Sequence, residues 1–389
     1  MRKFRILCLN SNDSERLVSS FSDTNPTAFF KGQYGYSASP KISPITTFGY
    51  FPVGLVFEIL KWIRLRFGSL SVLAVSKECK AFINDRLRPL KKYLEGTDRD
   101  SFQVSNISER TVNRDLPPEK RLLLRDYQVE MIKSLVFGTG GRGLIESPTA
   151  SGKSFIIANL IDTIETGLKS GLRYLVYVPN RQLVDQFYKD LLSYGYSPRN
   201  VTRLTSGLKR SEKFDPEAMV VIANRQFLFK NEKLLPRIDV LIADEVHQTV
   251  SGATRKFVEN LDCDMKIGCS GTLPRTKIGK WTLMGMFGPV AYVEEITHLQ
   301  KEGYISKLGI TLLKVRDLEV ENDRECLFNV NSTRKFDSEN PEDITFNESY
   351  IEETNYIVRN YERLYRPILG ELEKMEGNTL VLFDRLEFG

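Results

Sequence analysis

The chain has 389 residues, 41% of them apolar and 11% aromatic, enough for two or three domains with ordinary cores. Its five cysteines, Cys8, Cys79, Cys263, Cys269 and Cys326, are odd in number and show no paired metal spacing, which excludes a regular disulfide framework and points to a reducing compartment, the cytoplasm. The net charge of +5 is unevenly spread: 16 basic against 9 acidic residues in 1–100, 27 against 22 in 101–300, and 12 against 19 in 301–389.

The opening MRKFRILCLNSNDSE turns polar too soon for a secretory signal. No membrane partner is expected either, because the most apolar stretch, 48–63, is broken by Glu58 and Lys61, short of the roughly 20 residues a spanning helix needs. Residues 1–95 read as a small α/β unit. An apolar strand leads, aromatic and glycine-rich turns follow at Phe29–Tyr36, then a helix over Gly54–Arg66 and a strand near Ser71–Val75. The basic excess of this unit suits a nucleic-acid backbone, and equally a solvated face. Residues 96–119 are polar, contain Pro117-Pro118 and read as a linker.

Residues 120–300 alternate strand-like and helical segments, the pattern of a largely parallel sheet with helices on its faces. Two segments within this lobe carry chemistry. SPTASGKS at 147–154 lies between the strand-like Gly143–Glu146 and the helical Phe155–Ile161. Pro148, Thr149, Ala150, Ser151 and Gly152 supply a small-residue loop whose backbone N–H groups can turn inward on phosphates. Lys153 supplies a mobile ammonium for the β- and γ-phosphates, and Ser154 a hydroxyl for Mg²⁺ at a helix N-terminus. The pattern departs from the usual one at its first position, Ser147 in place of glycine. LIADEVHQ at 241–248 ends an apolar strand in two carboxylates at its C-terminal end, where open α/β sheets place ligands. Asp244 can complete the Mg²⁺ shell, and Glu245 can take the proton of an attacking water. The expected fold is a RecA-like P-loop lobe that binds and hydrolyses a nucleoside triphosphate.

With both boxes in this order the chain resembles the superfamily 2 helicases of the DExH type. The resemblance extends to LRDYQ at 124–128, YLVYVPNRQLVDQF at 174–187, Thr205-Ser206-Gly207, Ala223-Asn224-Arg225-Gln226 and Ser270-Gly271-Thr272, the last standing where the family usually has Ser-Ala-Thr. It implies ATP as the nucleotide, with Gln128 reading the adenine edge and Arg125 nearby. His247 and Gln248 would face the γ-phosphate and the coupling element Ser270-Gly271-Thr272. Pro179, Arg181, Thr205, Ser206, Gly207, Asn224 and Gln226 would line the nucleic-acid path. Backbone contacts of this kind leave DNA and RNA undistinguished.

The aromatic and glycine-rich stretch followed by FGYFPVGLVFEILKWIRLRFG resembles the small domain that precedes the motor in UvsW-type helicases of tailed phages. That implies a motor on duplex, branched or single-stranded DNA in phage replication, recombination or repair, in the host cytoplasm. A nucleotide-responsive DNA-binding module without unwinding, and the motor part of a restriction complex, are the alternatives. Residues 301–350 read as an acidic linker or insertion. Residues 351–389 read as the start of a second RecA-like lobe, with a helix over Ile351–Met375 and a strand over Asn378–Phe383. Such motors need a second lobe to supply an arginine finger, worth on the order of 10³–10⁵ in rate. The expectation is therefore an impaired enzyme unless a separate chain completes it.

Overall fold

The computed structural model describes residues 3–7, 11–24, 41–46, 50–67, 74–75, 79, 81, 122–167, 170–206, 214–230, 232–250, 252–306, 370 and 373–374. The expected linker at 96–119, the turns at 29–36 and the helix and strand of a second lobe lie outside these residues, apart from isolated positions within 370–374.

Residues 1–306 form one compact unit, built on a seven-stranded parallel sheet. Its strands are β6 (Arg142–Glu146), β7 (Tyr174–Val178), β8 (Val201–Leu204), β9 (Val220–Asn224), β10 (Val240–Ala243), β11 (Met265–Ser270) and β12 (Val290–Val293), in the spatial order β12-β6-β11-β10-β7-β9-β8. β7, β9, β10 and β11 are buried along their whole length. Parallel strands covered on both faces must be apolar at consecutive positions, which is why VLIA and YLVYV do not alternate.

One face meets α3 (Asp126–Lys133), α4 (Lys153–Gly167) and α5 (Arg181–Ser193) through Ile145, Val176, Ile222, Ile242 and Ile267. α4 is apolar on nearly every side, with Ile156, Ile157, Ala158, Leu160, Ile161 and Ile164 fully buried. Its buried Asn159 and Thr163 donate back to the helix carbonyls of Phe155 and Asn159, which spares those donors from being buried unpaired.

The other face is covered differently. Leu144, Leu175, Tyr177, Val221, Leu241 and Ala243 share a hydrophobic cluster with α8 (Lys277–Phe287) and with the N-terminal residues Leu17, Phe21, Phe51, Leu55, Ile59 and Ile63. Those come from α1 (Ser11–Ser20), α2 (Val56–Phe67) and a small antiparallel sheet in which β1 (Lys3–Leu7) lies between β4 (Tyr50–Pro52) and β5 (Ala74–Val75); β2 (Asp23–Thr24) pairs with β3 (Lys41–Ile42), and α6 (Arg225–Lys230) and α7 (Gly252–Asn260) fall between α5 and α8 in the chain. α2 and β5 fall where the apolar patterning of residues 54–66 and 71–75 places them.

Contact between the N-terminal elements and α8 is intimate. Asp23 Oδ2 accepts the Ile278 N–H at 3.1 Å, a second cap on α8 besides Thr276 Oγ1, which accepts the Gly279 N–H at 3.3 Å. Phe21 and Trp281 lie 5.4 Å apart at 44°. At Gly54 the two backbones touch: a Cβ there would stand 2.0 Å from the Met284 carbonyl oxygen and 2.8 Å from that of Gly285.

On the opposite end of the sheet from the site, Lys266 is buried in β11 and donates to the Val258 carbonyl, and burial pulls its pKa down to about 8. Among the described residues no helix is long and apolar enough to cross a membrane.

Gly54→Ala forces backbone to move on one side of the seam. The variant is expected to lose about 2–4 kcal/mol of stability in urea unfolding of the whole chain. A change below ~0.5 kcal/mol would show that the seam is plastic.

Candidate active site

The predicted nucleotide residues converge at the C-terminal ends of β6, β10 and β11. From Glu146 the chain turns through 147–152 into α4, with Ala150 at φ 66° and Gly152 at φ 79°. Ser147, in place of the usual glycine, is fully buried, donates its N–H to the Ser270 carbonyl at 2.8 Å and spends its hydroxyl on Ser151 Oγ. The departure from glycine is thus absorbed inside the loop. Lys153 Nζ donates to the carbonyls of Ser147 and Pro148, both at 3.2 Å, so the ammonium already hangs over the loop where phosphate oxygens can replace those carbonyls. Thr149 and Ala150 are exposed.

β10 delivers the carboxylates. Asp244 continues from the strand, its N–H bonded to the Tyr177 carbonyl at 2.8 Å. Glu245 has φ 48° and ψ 48°, a left-handed conformation costing roughly 1–2 kcal/mol for a residue with a Cβ. That turn throws the Glu245 side chain off the strand direction and starts the 3₁₀ turn that carries His247.

Asp244 Oδ1 is buried and has no hydrogen-bond partner among the described residues. Burial first, and the neighbouring Glu245 charge second, push its pKa up, with Lys153 opposing. A buried acceptor beside a second carboxylate and a lysine fits a divalent cation, whose charge reverses that penalty. Ser154 Oγ, the second expected ligand, shares a 3.0 Å hydrogen bond with Tyr194 Oη, and the Tyr194 ring stands edge-on to Phe155 at 5.0 Å. One of the Ser154 lone pairs remains available to a metal.

The coupling element is wired to His247. His247 Nδ1 is 2.8 Å from Ser270 Oγ and 3.3 Å from Glu245 Oε2. Ser270 spends its only hydroxyl hydrogen on the Thr272 carbonyl at 2.7 Å, so His247 must be the donor to Ser270, which fixes the proton on Nδ1. Gln248 is exposed, its backbone N–H bonded to the Glu245 carbonyl. At Gly271 a Cβ would meet nothing closer than 3.8 Å, so the alanine usual in the family fits here, and glycine is not required by space. Glu146 Oε1 accepts the Leu273 N–H at 3.1 Å and ties the end of β6 to this element. An open cavity of about 670 Å³ is bordered by Glu146, Pro148, Thr149, Glu245, Gly271 and Thr272.

Gln128 is turned toward the phosphate loop. Its Oε1 accepts the Arg125 N–H at 3.0 Å, and its Nε2 donates to the Ser151 carbonyl at 2.9 Å. Tyr127 Oη donates to that same carbonyl at 2.7 Å. Both ends of the Gln128 amide are therefore engaged within the protein, and Arg125, half-buried, flanks them.

Of the predicted nucleic-acid residues, Pro179, Thr205 and Asn224 follow or end β7, β8 and β9 on the other half of the same sheet edge. Arg181, Ser206 and Gln226 are exposed beside them, and Gly207 lies outside the described residues. Thr205 Oγ1 and Asn224 Oδ1 are buried without a partner among the described residues. Sequence reasoning missed Tyr127, Glu146, Tyr194 and Tyr304. Only Tyr127 had a signal, its place inside LRDYQ.

This geometry, a phosphate loop and a DEVH carboxylate pair on one parallel sheet, is that of a P-loop nucleotide-binding lobe, and it resembles the motor lobe of the superfamily 2 DExH helicases. Residues 121–275 match the sequence family described as the res subunit of type III restriction enzymes. Within the class the chain is UvsW-like. It is 25% identical over 178 residues to the ATP-dependent DNA helicase UvsW of Enterobacteria phage T4, covering 45% of this chain and 35% of that one. It is 24% identical over 224 residues to a putative helicase of a Sulfolobus islandicus filamentous virus, covering 53% of this chain and 40% of that one. The matches thus span well under half the length of these relatives. A crystal structure of T4 UvsW superposes with a TM-score of 0.54 at 19% identity, over 74% of this chain and 99% of that one, and shares the fold.

An acid with a raised folded-state pKa holds more protons folded than unfolded, so it weakens the fold as pH rises through that pKa. Asp244→Asn is therefore expected to be the more stable protein at about pH 7 without nucleotide or Mg²⁺, the two converging near pH 4. Parallel Tm curves across that range would contradict the assignment of Asp244 as a destabilising buried charge.

Proposed function

We propose that the chain is an ATP-driven motor on DNA that, in the manner of UvsW, remodels branched DNA during phage replication, recombination or repair in the host cytoplasm. The observation that carries this reading is the sharing of one sheet edge. Lys153, Asp244, Glu245 and the His247–Ser270 pair occupy the half at β6, β11 and β10, while Pro179, Thr205 and Asn224 occupy the half at β7, β9 and β8. Asp244 and Ser154 would hold Mg²⁺, whose charge would offset that of the β- and γ-phosphates. Lys153 binds those phosphates, Glu245 orients a water and takes its proton, and the His247 Nδ1–H senses Ser270 as the γ-phosphate leaves. Stimulated turnover requires a second surface closing over the γ-phosphate, in cis or from a separate chain. The basic excess of residues 1–100 supports a DNA contact by the N-terminal unit.

The family description matched by 121–275 favours one second reading, the motor of a restriction complex. The two part on substrate: a remodelling motor is stimulated by forked DNA of any sequence, a restriction motor by duplex with a recognition site.

The test is ATP binding and turnover with forked, duplex and single-stranded DNA and with RNA. Lys153→Ala is expected to weaken Mg-ATP binding at least ~10-fold, since it removes the loop's only charge. Glu245→Gln should bind normally and turn over ~10²-fold or more slowly. Equal turnover in Glu245→Gln and wild type would remove Glu245 as the base.

A further inference from the structure

Tyr304 lies far along the chain from the LRDYQ segment, just after α9 (Ile296–Lys301), and no motif singles it out. Its ring packs against that segment on two sides. The Arg125 guanidinium carbon sits 4.5 Å above the Tyr304 ring centroid, and the Tyr127 ring lies 5.7 Å from it at 47°. Arg125 Nη1 also donates to Tyr127 Oη at 3.3 Å, and that hydroxyl donates onward to the Ser151 carbonyl in the phosphate loop. Three side chains from two separate parts of the chain thus form one cluster that reaches from the phosphate loop to the Arg125 guanidinium.

Resting on the reading of 147–154 as an ATP site, we propose that Tyr304 is the positioning residue of the base subsite: it holds the Arg125 guanidinium in the plane that receives the nucleotide's base. Gln128 is turned the other way, its Oε1 accepting the Arg125 N–H and its Nε2 donating to the Ser151 carbonyl. A long, flexible arginine side chain left unsupported loses rotamer freedom on binding, and a cation–π contact formed in advance removes part of that cost. Tyr304 touches no nucleotide itself; it acts through Arg125.

Base positioning is separable from phosphate binding by comparing two probes, Mg-ATP and Mg-tripolyphosphate, which share the phosphates and differ in base and ribose. Tyr304→Phe keeps the ring and is expected to bind both as wild type. Tyr304→Leu keeps apolar bulk but loses the π face; its Kd for Mg-ATP should rise ~3- to 30-fold while its Kd for Mg-tripolyphosphate changes less than ~2-fold, by calorimetric titration of the full chain. Unchanged ATP affinity in Tyr304→Leu overturns the proposal. An equal loss for both probes overturns it too, because that is what a merely structural residue does. Failure of the wild type to bind either probe removes the ATP-site reading and this inference with it, a result distinct from the other two.

Discussion

The site depends on burial of the parallel sheet from both sides. β7, β9, β10 and β11 have no exposed residue, so neither side-chain rotation nor strand slippage can relocate their C-terminal ends. With that edge held, the loop after β6, the carboxylates after β10 and the serine ending β11 face one another without further adjustment. At β11 the packing is tight enough that a Cβ on Gly268 would stand 2.6 Å from Leu144 Cδ2 and 2.9 Å from Val246 Cγ2. Leu17, Phe51, Leu55, Ile59 and Ile63, which precede the motor segment, share the core on one face, which makes the N-terminal elements part of the sheet's support.

Electrostatics then divide the work. Asp244 is held in an environment hostile to its charge, and Glu245 is held in a backbone conformation hostile to its side chain. Both costs fall at the place where phosphate and metal charge would arrive, in keeping with strain stored at sites that a ligand relieves. Lys153, by contrast, rests on two neutral carbonyls and can be drawn away at little cost.

The parts of this site that were legible in the sequence are those whose chemistry demands consecutive residues: Ala150 to Ser154, and Asp244 with Glu245. Strand identity was legible as well at β7 and β10, whose doubly covered residues form the unbroken runs YLVYV and VLIA. The left-handed turn at Glu245 was not, since glutamate gives no sign of positive φ. Nor were the contacts of Tyr194 with Ser154 and Tyr304 with Arg125, which join positions that only the fold brings together and involve side chains equally at home in any core. The sequence also suggested a leading unit separate in character from the motor. Its basic excess gave that impression, whereas the contacts of Leu17, Phe51 and Ile59 with the motor sheet carry no sign in the sequence.

The backbone contact at Gly54 has a consequence for how such proteins can be rearranged. Where two units meet through side chains, one can be exchanged for a foreign domain and the interface repaired by repacking. Here Gly54 faces the main-chain carbonyls of Met284 and Gly285 in α8, and a Cβ on Gly285 would in turn stand 3.2 Å from the Pro52 ring, so exchanging side chains does not make room at Gly54. A recombinant hybrid that joins a different leading domain to this motor must bring its own version of α8 along. The exchangeable module therefore has a boundary that runs inside the motor lobe, with α8 on the same side as the leading elements.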